Sequence, residues 1–259
     1  KGKELVVVGE WMPVTIIKRN GPGWERVTIP NSDGLWQCIE SADLDNDQDM
    51  DFVVGNMGNN TPFKASHSKP IELFSADFDK NTTPESVISY WVNNDSYSFF
   101  SKDELASQMI QFKKDYADYF SFSSKSFKEV FNKFELNKNN KKITVTESSI
   151  FWNNGKKKFD IKPLPFEAQQ SILMDILIND IDRDSLPDII CGGNLFETLP
   201  SFGRWDGSYS NVIINQGNRS FIVWPHKTSG MVVKGAVRDI EVINIKNQRC
   251  YLFALNNSS

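Results

Sequence analysis

Three stretches of the chain repeat one acidic design: Asp43-Leu-Asp45-Asn-Asp47-Gln-Asp49-Met-Asp51, Asp77-Phe-Asp79-Lys-Asn81-Thr-Thr83-Pro-Glu85 and Asp180-Ile-Asp182-Arg-Asp184-Ser-Leu186-Pro-Asp188. Each sets oxygen-bearing side chains at positions 1, 3, 5 and 9 of a nine-residue segment. Each is entered by one apolar run (36–42, 71–76, 171–179) and left by another (52–54, 87–91, 189–191). Carboxylates this close repel one another unless a cation sits among them. Runs this short, bounded by turn residues, are strands rather than helices. The pattern therefore predicts a cation site and a tight connection between two strands, repeated along the chain.

The donor set is all oxygen, which suits a hard cation. Calcium takes six to eight oxygens in flexible geometry, where magnesium demands a near-octahedral shell. In the first loop Asp43, Asp45, Asp47 and Asp51 supply carboxylates, and the Asp49 carbonyl falls at position 7. In the third, Asp180, Asp182, Asp184 and Asp188 do the same around the Leu186 carbonyl. The middle loop is the weakest match. Asn81 offers a neutral oxygen at position 5, Thr83 supplies the carbonyl, and Glu85 closes it with a longer side chain. Position 6, where a sharp turn favours glycine, holds Gln48, Thr82 and Ser185. A helix–loop–helix calcium site is excluded, because position 12 is Val54, Ile88 or Cys191 rather than a chelating Glu. Sites of this kind hold a turn between strands and leave no evident open position for a substrate.

Elsewhere the chain reads as many short strands. Asn20-Gly-Pro-Gly23, Asn153-Asn-Gly155 and Gln216-Gly-Asn218 mark hairpins. The run 143–152 is expected to pair with 158–161 across the second of these. The end, 237–245 and 249–255, is a hairpin without an acidic loop. Helical signals concentrate at about 101–136. Ser101-x-x-Glu104 and Ser126-x-x-Glu129 are capping boxes. Leu105, Met109, Phe112 and Tyr116 share one face, and Phe127, Val130, Phe131 and Phe134 another. This segment is expected to be a helical insertion whose apolar faces pack on a sheet edge, with a partner-binding helical hairpin as the alternative.

Composition narrows the classes. A chain of 259 residues with 39% hydrophobic residues can bury a full core. Net charge is -4, with no single-sign face suited to nucleic acid. No apolar run reaches the length of a membrane span. Cys38, Cys191 and Cys250 sit in strand-like runs and are expected as buried free thiols. Trp11, Trp36, Trp91 and Trp152 are expected to pack between strands.

Catalytic motifs are missing from the pattern. The two histidines, His67 and His226, lie in polar loop sequence, and there is no phosphate-binding glycine loop. One segment suits ligand contact: Phe202-Gly-Arg204-Trp205-Asp206-Gly-Ser-Tyr209, where Arg204, Trp205, Asp206 and Tyr209 would meet a glycan or a peptide. Its plainer reading is an ordered loop with Arg204 paired to a neighbouring acid.

The acidic loop between two apolar strands, followed by a Gly/Asn-rich exit, resembles the FG-GAP/VCBS repeat of integrin-α-type β-propellers. The nearer likeness is to bacterial VCBS-repeat proteins of Bacteroidetes type. It is carried by residues 5–13 (Leu-Val-Val-Val-Gly-Glu-Trp-Met-Pro), 42–56, 77–81 and 189–194. It covers most of the chain and is weakest over the helical segment and the last hairpin. The resemblance implies an all-β propeller of four-stranded antiparallel blades, present in part as about four to five blades. It also implies Ca²⁺ in the loops and an extracytoplasmic binding or scaffold role toward a protein or glycan partner, within a larger surface or outer-membrane complex. Lys1-Gly-Lys-Glu4 is similar to the tail of a further loop, with Glu4 at position 9, so a preceding part of the protein is expected. Two other functions stay open: part of a polysaccharide-degrading enzyme with its active site on the blade-top loops or outside this segment, and a structural subunit of an outer-membrane assembly.

Overall fold

A computed structural model describes residues 4–134, 136, 140–155, 158–198 and 203–256. Along the chain run β1 (Glu4–Val7), β2 (Glu10–Asn20), β3 (Gly23–Leu35), β4 (Cys38–Ala42), β5 (Asp51–Gly55), β6 (Ile71–Ala76), β7 (Glu85–Val92) and β8 (Asp95–Ser98). Short helices follow, α1 (Lys102–Gln108), α2 (Gln111–Asp115), α3 (Tyr119–Ser123) and α4 (Phe127–Val130). Then come β9 (Lys141–Ile143), β10 (Ser149–Asn153), β11 (Phe159–Pro163), β12 (Leu173–Asn179), β13 (Asp188–Gly193), β14 (Asn211–Asn215), β15 (Phe221–Trp224), β16 (Ala236–Ile245) and β17 (Gln248–Asn256). The fold is mostly β, built from antiparallel sheets; among the described residues no closed barrel or ring of sheets is found.

The chain divides into two compact units, one formed by residues 1–62 and 146–259, the other by 63–145. In the first unit two four-stranded sheets share one design. Their strand orders are β4-β5-β10-β11 and β12-β13-β14-β15, and in both an acidic loop joins the first two strands. The first of these sheets is interrupted: after β5 the chain leaves to build the second unit, then returns to lay β10 against β5, with Val53 opposite Ile150. A three-stranded sheet, β1-β2-β3, precedes this pair and a hairpin, β16-β17, follows it. The first strand β12 packs beside β4 and beside β16, so the second four-stranded sheet adjoins both the first and the final hairpin.

Every residue of β5, β13 and β14 is buried, because both faces of these middle strands are covered by adjoining sheets. This is why their sequences are continuous apolar runs rather than alternating ones. Leu44, Val53, Trp152, Leu173, Ile189 and Ile213 belong to one core that joins the two four-stranded sheets. A second core places Ile190, Val212 and Ile214 against Val237 and Ile240 of β16. Close approach fixes Gly193 at the end of β13, where a Cβ would lie 1.8 Å from the Ile172 carbonyl oxygen.

The second unit has its own sheet, in the order β8-β7-β6-β9, with an acidic loop joining β6 and β7. The helical segment expected at about 101–136 falls inside this unit. Both capping boxes form, Ser101 with Glu104 and Ser126 with Glu129. The stretch from Leu105 to Tyr116 is not one continuous helix: it breaks after Gln108 and resumes at Gln111, yet all four face residues stay buried. These side chains and Phe127, Val130 and Phe131 pack on Phe74 and Val87, which are sheet-face residues of β6 and β7. The helices therefore cover a face of the sheet, not its edge.

The run 143–152 also differs from expectation. It holds two strands in different sheets, β9 and β10. Between them Thr146 and Ser148 are buried and bonded to the exit of β5. The Thr146 carbonyl accepts from Gly58 N–H at 2.8 Å, and Ser148 Oγ from Asn56 N–H at 2.9 Å. Of the thiols, Cys191 is buried and Cys38 and Cys250 are half-buried; all three are free. Trp36 and Trp152 are fully packed, at 1% and 2% exposure, whereas Trp11 and Trp91 are only partly covered.

Candidate metal centres

Each acidic loop gathers three carboxylates whose oxygens lie within 4.8 Å of one another: Asp43, Asp45 and Asp51; Asp77, Asp79 and Glu85; Asp180, Asp182 and Asp188. These are positions 1, 3 and 9, so each of the three clusters can hold a metal ion. Asp47 and Asp184, at position 5, stand outside the clusters.

One set of hydrogen bonds shapes all three loops. The position 9 carboxylate accepts the N–H of position 2: Leu44 to Asp51 at 3.1 Å, Phe78 to Glu85 at 2.9 Å, Ile181 to Asp188 at 2.8 Å. The position 1 carboxylate accepts the N–H of position 6: Gln48 to Asp43 at 2.9 Å, Thr82 to Asp77 at 2.9 Å, Ser185 to Asp180 at 3.2 Å. Position 5 accepts the N–H of position 7, the residue whose carbonyl is the expected ligand: Asp49 to Asp47 at 2.8 Å, Thr83 to Asn81 at 2.7 Å, Leu186 to Asp184 at 2.8 Å.

The turns are left-handed at both position 4 and position 6. Asn46, Lys80 and Arg183 have φ of 61, 61 and 69°, and Gln48, Thr82 and Ser185 have 72, 74 and 73°. Only glycine adopts this region without cost, and a β-branched Thr82 there is an outlier. Strain of about 1–3 kcal/mol per residue persists only where the surroundings impose it. Here the bonds to Asp43, Asp77 and Asp180 do so. The absent glycines therefore do not prevent the turn.

The first and third loops are tied further into their sheets. The Asp51 carboxylate also accepts Asn153 N–H at 2.7 Å, and Asp188 accepts Asn215 N–H at 2.8 Å. Asn153 and Asn215 end the third strand of their sheets. Their side-chain oxygens accept from Gly155 and Gly217, at 3.1 and 2.9 Å, and their amides donate back to Met50 and Pro187 carbonyls at 3.2 Å. Asn215 also donates to the Leu44 carbonyl at 2.8 Å. A buried relay thus runs from Asp188 through Asn215 and Leu44 to Asp51, linking the two loops. Sequence reasoning missed both asparagines as loop anchors, although the repeated Asn-x-Gly (153–155 and 215–217) carried the signal.

The electrostatics are compatible with a cation. Asp51 and Asp188 are both fully buried. Burial, then repulsion from Asp45 and Asp47, pushes the Asp51 carboxyl up to about 6, against the pull of the Asn153 and Leu44 N–H groups. Burial, with a smaller push from Asp182, raises Asp188 against the N–H groups of Asn215 and Ile181. Asp45 gives the sharpest test of fit. Its Oδ2 pairs with Arg219 Nε at 2.7 Å, while its Oδ1 is buried without a hydrogen-bond partner. An acceptor oxygen buried beside two further carboxylates is what a hard cation would satisfy.

The loop around Trp205 is arranged differently from its plainer reading. Trp205 exchanges two 2.9 Å backbone bonds with Leu195, and its carbonyl accepts from Ser171 Oγ at 3.1 Å. Arg204 lies 5.2 Å over the Phe196 ring, and among the described residues no ion pair involves it. Trp205 is half-buried, whereas Arg204, Asp206 and Tyr209 are exposed. Phe202 and the expected loop tail at Lys1–Lys3 lie outside the described residues. No protein-family model matches the chain, and no curated protein matches it.

Proposed function

We propose that this is part of an FG-GAP/VCBS-type β-propeller, stabilised by Ca²⁺, that serves as an extracytoplasmic binding or scaffold module for a protein or glycan partner. The observation that carries the reading is the recurrence of one loop conformation, with two left-handed residues in each loop, between consecutive paired strands of three separate sheets. Further support comes from the shared strand order of the two four-stranded sheets in the first unit, and from first strands that pack side by side. Calcium is preferred over magnesium because the donors are hard oxygens on a loop able to supply more than six. Asp43, Asp45 and Asp51 would hold it in the first loop, Asp180, Asp182 and Asp188 in the third, and Asp77, Asp79 and Glu85 in the second. The ion would supply the positive charge that these buried carboxylates lack and hold each strand pair together. Partner contact would fall on the exposed Arg204, Asp206 and Tyr209 beside Trp205.

Two measurements test this reading. Melting in millimolar calcium against EGTA should raise the midpoint, with calcium retained on elemental analysis. An unchanged midpoint with no retained calcium would remove the metal claim. Glycan-array and surface-protein binding, compared between the native chain and Trp205→Ala, tests the binding claim; capture indifferent to this substitution would place the partner elsewhere.

A further inference from the structure

We propose that Arg219 sets the calcium affinity of the first loop, acting as a protein cation that competes for the charge of Asp45. The inference rests on the calcium reading above. Arg219 sits at the tip of the β14–β15 hairpin with φ of 60°, in the sheet next to the one carrying the loop. Its Nε donates to Asp45 Oδ2 at 2.7 Å, its Nη1 to Asn154 Oδ1 at 2.8 Å, and its guanidinium lies 4.9 Å over the Trp152 ring. Three contacts to rigid groups hold the charge in place, and the Asp45 side chain is only 12% exposed. Asp45 therefore faces two ways. Oδ2 is committed to the guanidinium, Oδ1 is buried without a hydrogen-bond partner, and the Asp45 carboxylate belongs to the cluster with Asp43 and Asp51.

The third loop differs in that, among the described residues, no cation pairs with a carboxylate of its cluster, Asp180, Asp182 or Asp188. Arg249 also reaches it from the following sheet, but donates to Asn179 Oδ1 and to the Asp180 carbonyl, both at 2.9 Å. A fixed cation across one carboxylate from a divalent ion repels it, by an amount worth about three- to tenfold in affinity when partly screened. The first loop thus binds calcium more weakly than the third, and releases it first as calcium falls.

Calcium titration by calorimetry on the full chain, with the other two loops silenced by Asp79→Asn and Asp182→Asn, tests this. In that background Arg219→Gln should tighten binding about three- to tenfold. Arg219→Lys, which keeps the charge but loses the fork and the ring contact, should stay near the parent value. If Gln leaves affinity unchanged or weakens it, Arg219 is a positioning group for Asp45 and the proposal fails while the calcium reading stands. The same failure follows if Lys and Gln tighten binding equally. If the native chain takes up no calcium at millimolar concentration, the calcium reading itself falls, and this inference with it.

Discussion

The first and third acidic loops and the second one share a backbone but not a foundation. All three gather carboxylates from positions 1, 3 and 9. In the first and third, the closing aspartate is fully buried and takes N–H groups from its own loop and from the third strand of the sheet. In the second, Glu85 accepts the N–H of Phe78, and among the described residues no third-strand asparagine completes it. A loop anchored by a sheet holds its ligands in place before an ion arrives, whereas one closed by a longer side chain must order that side chain on binding. The same nine-residue design is thus tied to the third strand of its sheet in the first unit, whereas in the second it is anchored through its own loop and through Phe78 in the core.

The largest test of this contrast removes the closing carboxylate. Asp188→Ala or Asp51→Ala strips the partner from one buried and one half-buried N–H group, each costing about 1–3 kcal/mol, so urea unfolding should show a loss of about 2–5 kcal/mol. Glu85→Ala should cost about 1–2 kcal/mol on the same grounds. Equal losses would break the comparison. Calcium comes next. At a hundred times its dissociation constant one ion stabilises by about 2.7 kcal/mol. Calorimetric melting should therefore raise the first unit's transition more than the second's, since the first carries two anchored loops.

A smaller effect sharpens the role of the relay. Asn215→Ala leaves Gly217 N–H without its partner and frees the Leu44 and Pro187 carbonyls, for a loss of about 2 kcal/mol in urea. It should also weaken calcium at the first loop, because the relay through Leu44 reaches Asp51. Asn153→Ala, which donates within its own sheet, should leave the third loop's affinity unchanged.

Much of this was legible in residue order. Strands flanking the acidic loops, the last hairpin and both capping boxes are local signals and fell where expected. The insertion of a whole sheet-bearing unit between β5 and β10 was not legible, because Val53 meets Ile150 through pairing that no local pattern encodes. The run 143–152 looked like one strand because apolar content cannot show that Thr146 and Ser148 are bonded to the exit of β5. The helix break after Gln108 was hidden because the buried spacing from Leu105 to Tyr116 survives it. Arg219 was invisible for the same reason as β10: its partner Asp45 is distant in sequence.

The finest test of the comparison uses pH, because only the first unit should respond between pH 7 and 5. In the first unit Asp51 is pushed up to about 6, and Asp188, Asp175 and Glu40 are also raised, each chiefly by burial. A carboxyl raised in the folded state stabilises fully below its unfolded value near 4, and that stability is lost as pH rises through the folded value. In calcium-free buffer, moving from pH 7 to pH 5 should therefore raise the first unit's melting transition. In the second unit the shifted carboxyls are lowered: Asp103 by Tyr119, Asp118 by Ser121 and Glu129 by Ser126, all at exposed helix ends. Their contribution is complete above about pH 4 and fades only below it, so this transition should stay flat from pH 7 to 5. Calcium should oppose the first unit's response, since an ion that needs ionised Asp51 and Asp188 is expelled as they take up protons and its stabilisation is lost toward pH 5. If both transitions move together in EGTA, the buried carboxylates of the first unit are not the source of the difference between the loops.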